Sequence, residues 1–292
     1  MTDDLQHFIK IAAVSTFALV AAGCVAVAAV PMLRHYLVAL FNDPRDLPLL
    51  ESDTRVHFEP EARACALEVA ALLPAALARV EAVQERPFAR GPTIGIYASY
   101  DKYARANGLE DAAIAAVSRS GRVLLSPTLC GAERARLPGV LTHELSHTHL
   151  FGWRSSLFSA RPPSWFTEGL AVMVSDGGGA EGVSEVEAAE ALRKGYAIVV
   201  MDDGLWRDFA SIRFEIEPPR DPSRDDFGAF RQRLAYREAA MFVAWLRERD
   251  PGAFTKLLRR IENGESFRDS FHVSYAANPL ELWQNFVSHL SK

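Results

Sequence analysis

Apolar residues divide the chain into an N-terminal hydrophobic run and a longer part of mixed character. Residues 11–30 contain no charged side chain, and their only hydroxyl groups belong to Ser15 and Thr16. A helix of these 20 residues spans roughly 30 Å, about the thickness of the hydrocarbon core of a bilayer. The run therefore predicts one transmembrane helix over residues 11–30, a signal anchor that follows a tail of residues 1–10. A buried core helix is the less favoured interpretation.

The sequence gives weaker signals for whether this anchor is cleaved and which way it crosses the membrane. Small residues at 21–23 precede Cys24, as in a lipid-modified cysteine, but the apolar run continues beyond it and favours an uncleaved anchor over a lipoprotein. Lys10 and Arg34 flank the run, so the positive charges on its two sides are nearly balanced. Because the tail before the anchor is short, we expect the large domain to be the exported part. The protein is then membrane-anchored, with its folded domain outside the cytoplasm.

The pattern beyond the anchor predicts a short linker and one large domain. Residues 31–57 are predicted to form a juxtamembrane linker, because the stretch at 42–53 is rich in Asp and Pro. The domain is expected over residues 58–292. Alternating β-branched and small residues predict strands at 93–98 and 122–126. Apolar residues at helical spacing predict helices at 58–79, 100–117, 133–150, 164–175, 184–194, 227–249, 252–261 and 279–290. The fold class is therefore α+β, with a small strand-bearing half before a helical half.

Composition and charge narrow the possible classes of protein. The 292 residues carry 32 Lys and Arg against 37 Asp and Glu, a formal net charge of -5. This balance removes the long-range attraction that non-specific nucleic-acid binding requires, so nucleic acid is not an expected partner. Three cysteines are too few for a disulfide-stapled small domain. In an exported domain, Cys65 and Cys130 either form one bridge or remain two buried thiols.

The first motif with chemical content is HELSH at residues 143–147, within the predicted helix 133–150. Residues four apart lie on one face of a helix, so His143 and His147 can bind a single metal ion. Glu144 lies beside that face and is the candidate general base. The alternative is a helix that carries two surface histidines by coincidence.

A second motif, PSWFTEGLA at residues 163–171, supplies a third candidate ligand. Glu168 lies 21 residues after His147. Two histidines and one glutamate are a known ligand set for catalytic zinc, and they leave one coordination position for water. We therefore expect one zinc ion per chain, bound by His143, His147 and Glu168. The alternative for Glu168 is a solvated carboxylate near a helix N-terminus, where the helix dipole favours negative charge.

HELSH followed by WFTEGLA resembles the gluzincin zinc metallopeptidases. The form of the second motif is most similar to the catalytic domain of the membrane-alanyl-type aminopeptidases and their small membrane-associated peptidase relatives. The resemblance covers residues 92–292 and is strongest at 143–171. It implies a zincin-like fold and a peptidase that hydrolyses peptide bonds of a peptide or protein substrate. In such an enzyme a metal-activated water attacks the substrate and Glu144 acts as the general base.

The resemblance also implies an oxyanion donor and a strand that binds substrate. In the membrane-alanyl-type aminopeptidases and their relatives, a tyrosine at the start of a later helix stabilises the oxyanion. Tyr236, 68 residues after Glu168, is the candidate for this role. Tyr196 and Tyr275 compete for this role. The predicted strand at 122–126 would bind an extended peptide by edge pairing, as in the family.

One feature of the aminopeptidases is missing from this chain. They carry an acidic motif upstream of HExxH that holds the free amine of the substrate, whereas residues 119–127 contain no carboxylate. The sequence therefore leaves open whether the enzyme is an exopeptidase or an endopeptidase. A catalytically silent zincin-fold interaction module at the membrane is the alternative function. The intact set of His143, Glu144, His147 and Glu168 argues against this alternative.

Overall fold

The computed structural model describes residues 38–39, 41–154, 161–204, 211–221 and 226–290. A four-stranded sheet lies in the N-terminal part of these residues. Its strands are β1 (Val56–Phe58), β2 (Thr93–Ile96), β3 (Ala116–Arg119) and β4 (Arg122–Leu125). Their order across the sheet is β1-β2-β4-β3. The first three strands in this order are parallel, and β3 runs antiparallel to β4.

Helices form most of the remaining described chain. They are α1 (Arg63–Gln84), α2 (Tyr100–Asn107), α3 (Pro127–Cys130), α4 (Leu137–Gly152), α5 (Ser164–Val174), α6 (Glu185–Arg193), α7 (Phe227–Arg249), α8 (Pro251–Glu262), α9 (Phe267–Tyr275) and α10 (Pro279–Leu290). A small sheet followed by a helical half confirms the α+β class that the sequence predicts.

One hydrophobic core joins the sheet to the helices. α4 packs against α1, against β3 and β4 of the sheet, and against α5. α5 in turn packs along α7. Leu141 and Leu145 of α4, Leu170 of α5 and Phe242 of α7 are all 0% exposed, so these helices meet through fully buried apolar side chains. This packing places α5 between α4 and α7, and the candidate site lies on these three helices.

The sheet corrects the predicted position of the substrate-binding strand. Strand β4 corresponds to the predicted strand at 122–126, but it lies between β2 and β3 and is not an edge strand. The edge position next to it belongs to β3. The sequence prediction was wrong here because β3, which begins in a segment that was expected to be helical, pairs with β4 and occupies its free edge.

That segment, predicted as a helix over 100–117, contains a shorter helix and the first two residues of β3. α2 ends at Asn107 because Gly108 adopts a left-handed conformation with a φ of 75°. The side chain of Asn107 then accepts a hydrogen bond from the backbone N–H of Leu109 at 2.8 Å, which satisfies a donor beyond the helix end. The chain continues into β3 and turns back through Ser120 and Gly121 into β4.

The described part of the predicted linker 31–57 packs on the sheet. Val56 and His57 belong to β1, and Leu50 is 2% exposed within the main core. Pro44 lies against β2, where a β-carbon on Gly95 would approach the Pro44 Cβ to 2.5 Å. The folded unit therefore includes residues before 58, and its first long helix begins at Arg63.

The predicted anchor over residues 11–30 lies outside the described residues. Within the part of the chain that the structure describes, no helix combines the length and the hydropathy that a membrane span requires.

A disulfide joins the start of α1 to the end of α3. Cys65 and Cys130 are bonded, with their Cα atoms 5.4 Å apart. The sequence left open whether these cysteines form a bridge or two thiols, and the structure has the bridge. It ties the first long helix to the segment that follows β4.

Candidate metal centre

Helix α4 presents both histidines of the HELSH motif to the interior. Pro138 occupies its first turn, where a missing backbone N–H costs nothing. The buried side chains of Leu137, Leu141 and Leu145 fix the helix against the core. His143 and His147 are both buried, and their rings meet edge to face with centroids 4.9 Å apart. The sequence prediction that the two imidazoles share one face of a helix is borne out.

Glu168 reaches the same point from the neighbouring helix. It lies in the first half of α5 and is 7% exposed, although it carries a carboxylate. A buried carboxylate requires compensating partners. Its partners are the two histidines of α4.

The three side chains form a nearly equilateral triangle of donor atoms. Glu168 Oε2 lies 3.2 Å from His143 Nε2 and 3.4 Å from His147 Nε2. The two Nε2 atoms are 3.2 Å apart. Ligands about 2.0 Å from a tetrahedral ion lie roughly 3.3 Å from one another, so these atoms fit three corners of such a site. The buried group of His143, His147 and Glu168 could therefore hold a metal ion.

The charges within the triangle favour an ionised Glu168 beside a positively charged partner. Burial opposes ionisation of Glu168, but the two histidines outweigh it and hold the pKa of this carboxyl well below its usual range. Burial likewise opposes protonation of His143, yet the hydrogen bond and charge of Glu168 raise its pKa to about 9. The carboxylate of Glu168 thus favours a positive charge beside it. A bound cation would supply that charge in place of a protonated histidine.

Helix α7 brings Tyr236 to the triangle. The Tyr236 ring stacks on the ring of His143, with centroids 6.2 Å apart and planes inclined by 12°. Its hydroxyl accepts a hydrogen bond from Gln232 Nε2 at 3.2 Å. Burial, followed by the negative charge of Glu168, raises the pKa of Tyr236 well above its ordinary value. The predicted oxyanion donor is therefore next to the candidate ligands.

Glu144 lies at the same centre. It is buried, with 9% of the residue exposed. Its negative charge is one of the influences that raise the pKa values of His143 and Tyr236. The structure thus brings the predicted ligands and Tyr236 together, and the predicted general base is near enough for its charge to act on two of these residues.

The competing tyrosine Tyr275 has a different environment. Its hydroxyl donates a hydrogen bond to the carbonyl oxygen of Leu246 at 3.1 Å, in the packing of α9 on the end of α7. Tyr196 follows α6 at a turn, where its backbone N–H bonds to the carbonyl of Ala191 at 3.0 Å. Of the three candidates, Tyr236 is the one whose ring contacts a member of the triangle.

His149 lies on another side of α4, as the 3.6-residue period of a helix requires. Its Nδ1 is 2.7 Å from Gln84 Oε1, and its Nε2 is 2.8 Å from the carbonyl oxygen of Arg86. Both ring nitrogens are therefore used in joining α4 to the end of α1. His149 supports the helix that carries the candidate ligands and does not belong to the triangle.

The glycines at residues 177–179 also contribute to the site, although neither sequence motif includes them. The carbonyl oxygen of Gly178 accepts a hydrogen bond from Nδ1 of His143 at 2.9 Å. The visible signal was a run of three glycines shortly after the helix of Glu168. Because a backbone carbonyl makes this contact, residue types alone did not reveal it.

No protein family, curated protein or solved structure matches this chain. The chemistry of the site is therefore inferred from its own groups. These groups are the two imidazoles and the carboxylate of the triangle, the carboxylate of Glu144 and the buried phenol of Tyr236. Such a set can hold a cation, accept a proton from water and donate a hydrogen bond to a developing anion.

Proposed function

We propose that the protein is a membrane-anchored zinc-dependent peptidase that hydrolyses peptide bonds in a peptide or protein substrate. The single observation that carries this proposal is the buried triangle of His143 Nε2, His147 Nε2 and Glu168 Oε2, with sides of 3.2 to 3.4 Å. Two imidazoles and one carboxylate suit zinc and leave room for a further ligand. When bound, zinc would supply a Lewis acid that polarises the scissile carbonyl and makes water a stronger acid.

Glu144 is the general base in this proposal. It follows His143 directly on α4, and its charge acts on the His143 imidazole, which supports this role. Glu144 removes a proton from the attacking water as the new carbon–oxygen bond forms. It then delivers that proton to the leaving nitrogen as the carbon–nitrogen bond breaks. One carboxylate thus performs both proton transfers, and it returns to its ionised form at the end of the reaction.

Tyr236 is the hydrogen-bond donor to the developing oxyanion. A tyrosine phenol carries its proton at neutral pH, and burial and the charge of Glu168 raise the pKa of Tyr236 further. Its stacking on His143 fixes the ring beside the ligands before the substrate arrives. A donor that is already oriented needs no reorganisation when negative charge develops on the carbonyl oxygen.

β3 is the strand that we propose for pairing with an extended substrate. It is an edge strand, and it contacts the helix of the HELSH motif. Edge strands bind peptides through main-chain hydrogen bonds, which tolerate many side chains. This role replaces the one that the sequence assigned to the interior strand β4.

Location at a membrane rests on the uncharged run at residues 11–30. Export of the domain is supported by the bond between Cys65 and Cys130, because disulfides persist in oxidising compartments. The proposed arrangement is therefore an anchored peptidase whose domain lies outside the cytoplasm.

Digestion of a peptide library by the purified full-length chain, read by mass spectrometry, tests this function. We expect cleavage that a zinc chelator abolishes and that added zinc restores. The Glu144→Gln variant serves as the matched control, because an amide cannot accept the proton but leaves the three ligands in place. Cleavage at the wild-type rate by Glu144→Gln, or no cleavage by a zinc-loaded wild-type chain, would contradict the proposal.

A further inference from the structure

Residues 177–179, here called the triglycine turn, lie directly against His143. The carbonyl oxygen of Gly178 is 2.9 Å from His143 Nδ1. A β-carbon on Gly179 would lie 3.0 Å from both Nδ1 and Cε1 of the same ring. Gly179 also has a φ of 88°, in the left-handed region that favours glycine. The turn therefore covers one side of the His143 imidazole with backbone alone.

The contact with Gly178 determines which nitrogen of His143 carries the proton. A carbonyl oxygen can only accept, so Nδ1 must be the donor. In the neutral ring the lone pair then lies on Nε2, the atom 3.2 Å from Glu168 Oε2. A metal-binding imidazole needs its lone pair on the nitrogen that faces the metal, and a hydrogen bond from the other nitrogen fixes both tautomer and ring orientation.

The turn is held on three sides. At α5, which carries Glu168, the backbone N–H of Gly177 donates to the carbonyl of Val172 at 2.9 Å. At α4, Gly178 meets Gly139 so closely that a β-carbon on Gly139 would lie 3.1 Å from the Gly178 Cα. On the third side, α7 reaches the loop through Arg237, whose Nε donates to the carbonyl of Val183 at 2.9 Å.

Arg237 also approaches the turn itself. Its Nη2 donates to the carbonyl of Ala180 at 3.4 Å, and a β-carbon on Gly177 would lie 2.7 Å from that nitrogen. Tyr236 and Arg237 are consecutive, so one turn of α7 supplies a ring that stacks on His143 and a guanidinium that holds the loop beside it. The three helices of the site therefore all fix the position of the Gly178 carbonyl.

We propose that the triglycine turn and Arg237 position His143 for metal binding, by holding the Gly178 carbonyl against Nδ1 of its ring. This inference rests on the proposed zinc site and adds positioning groups that do not themselves contact the metal. Loss of a partner of this kind typically weakens metal affinity by about 10- to 100-fold.

Two glycine substitutions in the same loop test the proposal. Gly179→Ala adds a methyl group against the His143 ring, whereas Gly182→Ala adds one where nothing lies within 4 Å. Both positions have left-handed backbones, with φ values of 88° and 80°, so both variants carry a similar backbone strain. The difference between them reports the close contact with His143, since the next nearest neighbour of the added methyl group, Tyr236 Cδ2, is at an ordinary 3.7 Å.

The measurement is the zinc dissociation constant of each full-length variant, by competition with a chelator. The visible absorption of the cobalt-loaded protein would report ligand geometry. We expect Gly179→Ala to bind zinc about 10- to 100-fold more weakly than wild type and to show an altered cobalt spectrum. Gly182→Ala should stay within about threefold of wild type, because it leaves the hydrogen bond to His143 intact.

A second pair of variants covers the case in which Gly179→Ala does not fold. Arg237→Met removes the hydrogen bonds from α7 to the carbonyls of Val183 and Ala180 and leaves every glycine in place. It should therefore also weaken zinc binding. Arg233→Met is its control, because Arg233 lies one turn earlier on α7 and its ion pair with Asp226 is long, at 3.7 Å.

Equal affinities in both members of each pair would overturn this inference and leave the proposed zinc site standing. A wild-type chain that binds no zinc would overturn the zinc site and the inference together. The wild-type measurement therefore separates the two failures.

Discussion

Gly169 and Ala239 bring α5 and α7 into direct backbone contact. A β-carbon on Gly169 would lie 2.6 Å from the carbonyl oxygen of Ala239. Gly169 follows the candidate ligand Glu168, and Ala239 lies one turn beyond Tyr236. The absence of a side chain at Gly169 thus sets how closely the helix of the ligand approaches the helix of the proposed oxyanion donor.

Replacing Gly169 by alanine is expected to force these helices apart. The clash involves backbone atoms, which cannot rotate away, so we expect a loss of about 1–3 kcal/mol in the free energy of unfolding. Denaturant titration of the zinc-free protein measures it. Gly228→Ala is the matched control, since nothing lies within 4 Å of a β-carbon there. Alanine favours helix at that exposed position of α7, so Gly228→Ala should be neutral or stabilising. An equally stable Gly169→Ala variant would show that the close contact is not needed.

One metal ion per chain is expected in the purified wild-type protein. His143→Ala and Glu168→Ala should each reduce it strongly, because each removes one corner of the triangle. Elemental analysis of the full-length variants gives the stoichiometry. His272→Ala is a suitable control, as this histidine is exposed on α9. Unchanged metal content in His143→Ala would place the ion elsewhere.

Tyr236→Phe separates transition-state stabilisation from metal binding. Removing one oxyanion donor typically lowers the rate by about 100- to 1000-fold, so kcat should fall while the zinc content stays near wild type. Tyr275→Phe loses a half-buried hydroxyl that bonds to the Leu246 carbonyl, and its kcat should be unaffected. Steady-state kinetics on one library-derived peptide compares the two variants. A rise in KM alone would reassign Tyr236 to substrate binding.

The bridge between Cys65 and Cys130 closes a long loop, with a sequence separation of 65. Such a crosslink restricts the unfolded chain, and its removal should cost about 2–4 kcal/mol of stability. The test is thermal unfolding with and without a reductant. The midpoint should fall for wild type and stay constant for a double variant with alanine at both positions. A wild-type midpoint insensitive to complete reduction would remove the stabilising role of the bridge.

Long helices with sustained apolar spacing, and short motifs within one helix, were the features that the sequence predicted best. The helix predicted at 227–249 has the observed bounds Phe227–Arg249, because its apolar spacing is sustained and Pro251 interrupts it. His143 and His147 were predictable since an i, i+4 spacing fixes their relation within one helix. The pattern also predicted β2 and β4, whereas β1 (Val56–Phe58), with three residues, is too short to give a distinct period.

Features that depend on tertiary packing were not predictable from residue types. The Gly178 carbonyl reaches His143 across 35 positions of sequence, through a backbone atom that every residue possesses. The edge position of β3 likewise follows from the order of strands in the sheet, which the sequence pattern does not specify. The convergence of Glu168 with the histidines was predicted because two motifs pointed to one ligand set, and the packing of α4 on α5 provides it.

Glu238 gives the fold a pH dependence that can be measured apart from the metal site. This residue is 0% exposed in α7, and its Oε2 accepts a hydrogen bond from the backbone N–H of Ile198 at 3.1 Å. Burial raises the pKa of Glu238 well above its ordinary value of 4.5, and the hydrogen bond from Ile198 only partly opposes this. The folded chain therefore keeps a proton on Glu238 at a pH where the unfolded chain has lost it.

The sign of the effect follows from these proton counts. Between the unfolded and folded pKa values the native state binds more protons, so stability falls as pH rises, by up to about 1.4 kcal/mol per pH unit. Glu238→Gln keeps an oxygen acceptor for Ile198 and cannot ionise. Relative to wild type it should therefore gain stability as pH rises above the ordinary glutamate pKa of 4.5, until the folded chain also loses the proton. Denaturant titrations of the zinc-free proteins across this range measure the difference. Glu248→Gln, at an exposed position of the same helix, should keep the wild-type slope. If the difference between wild type and Glu238→Gln does not change with pH, Glu238 is ionised in the folded protein.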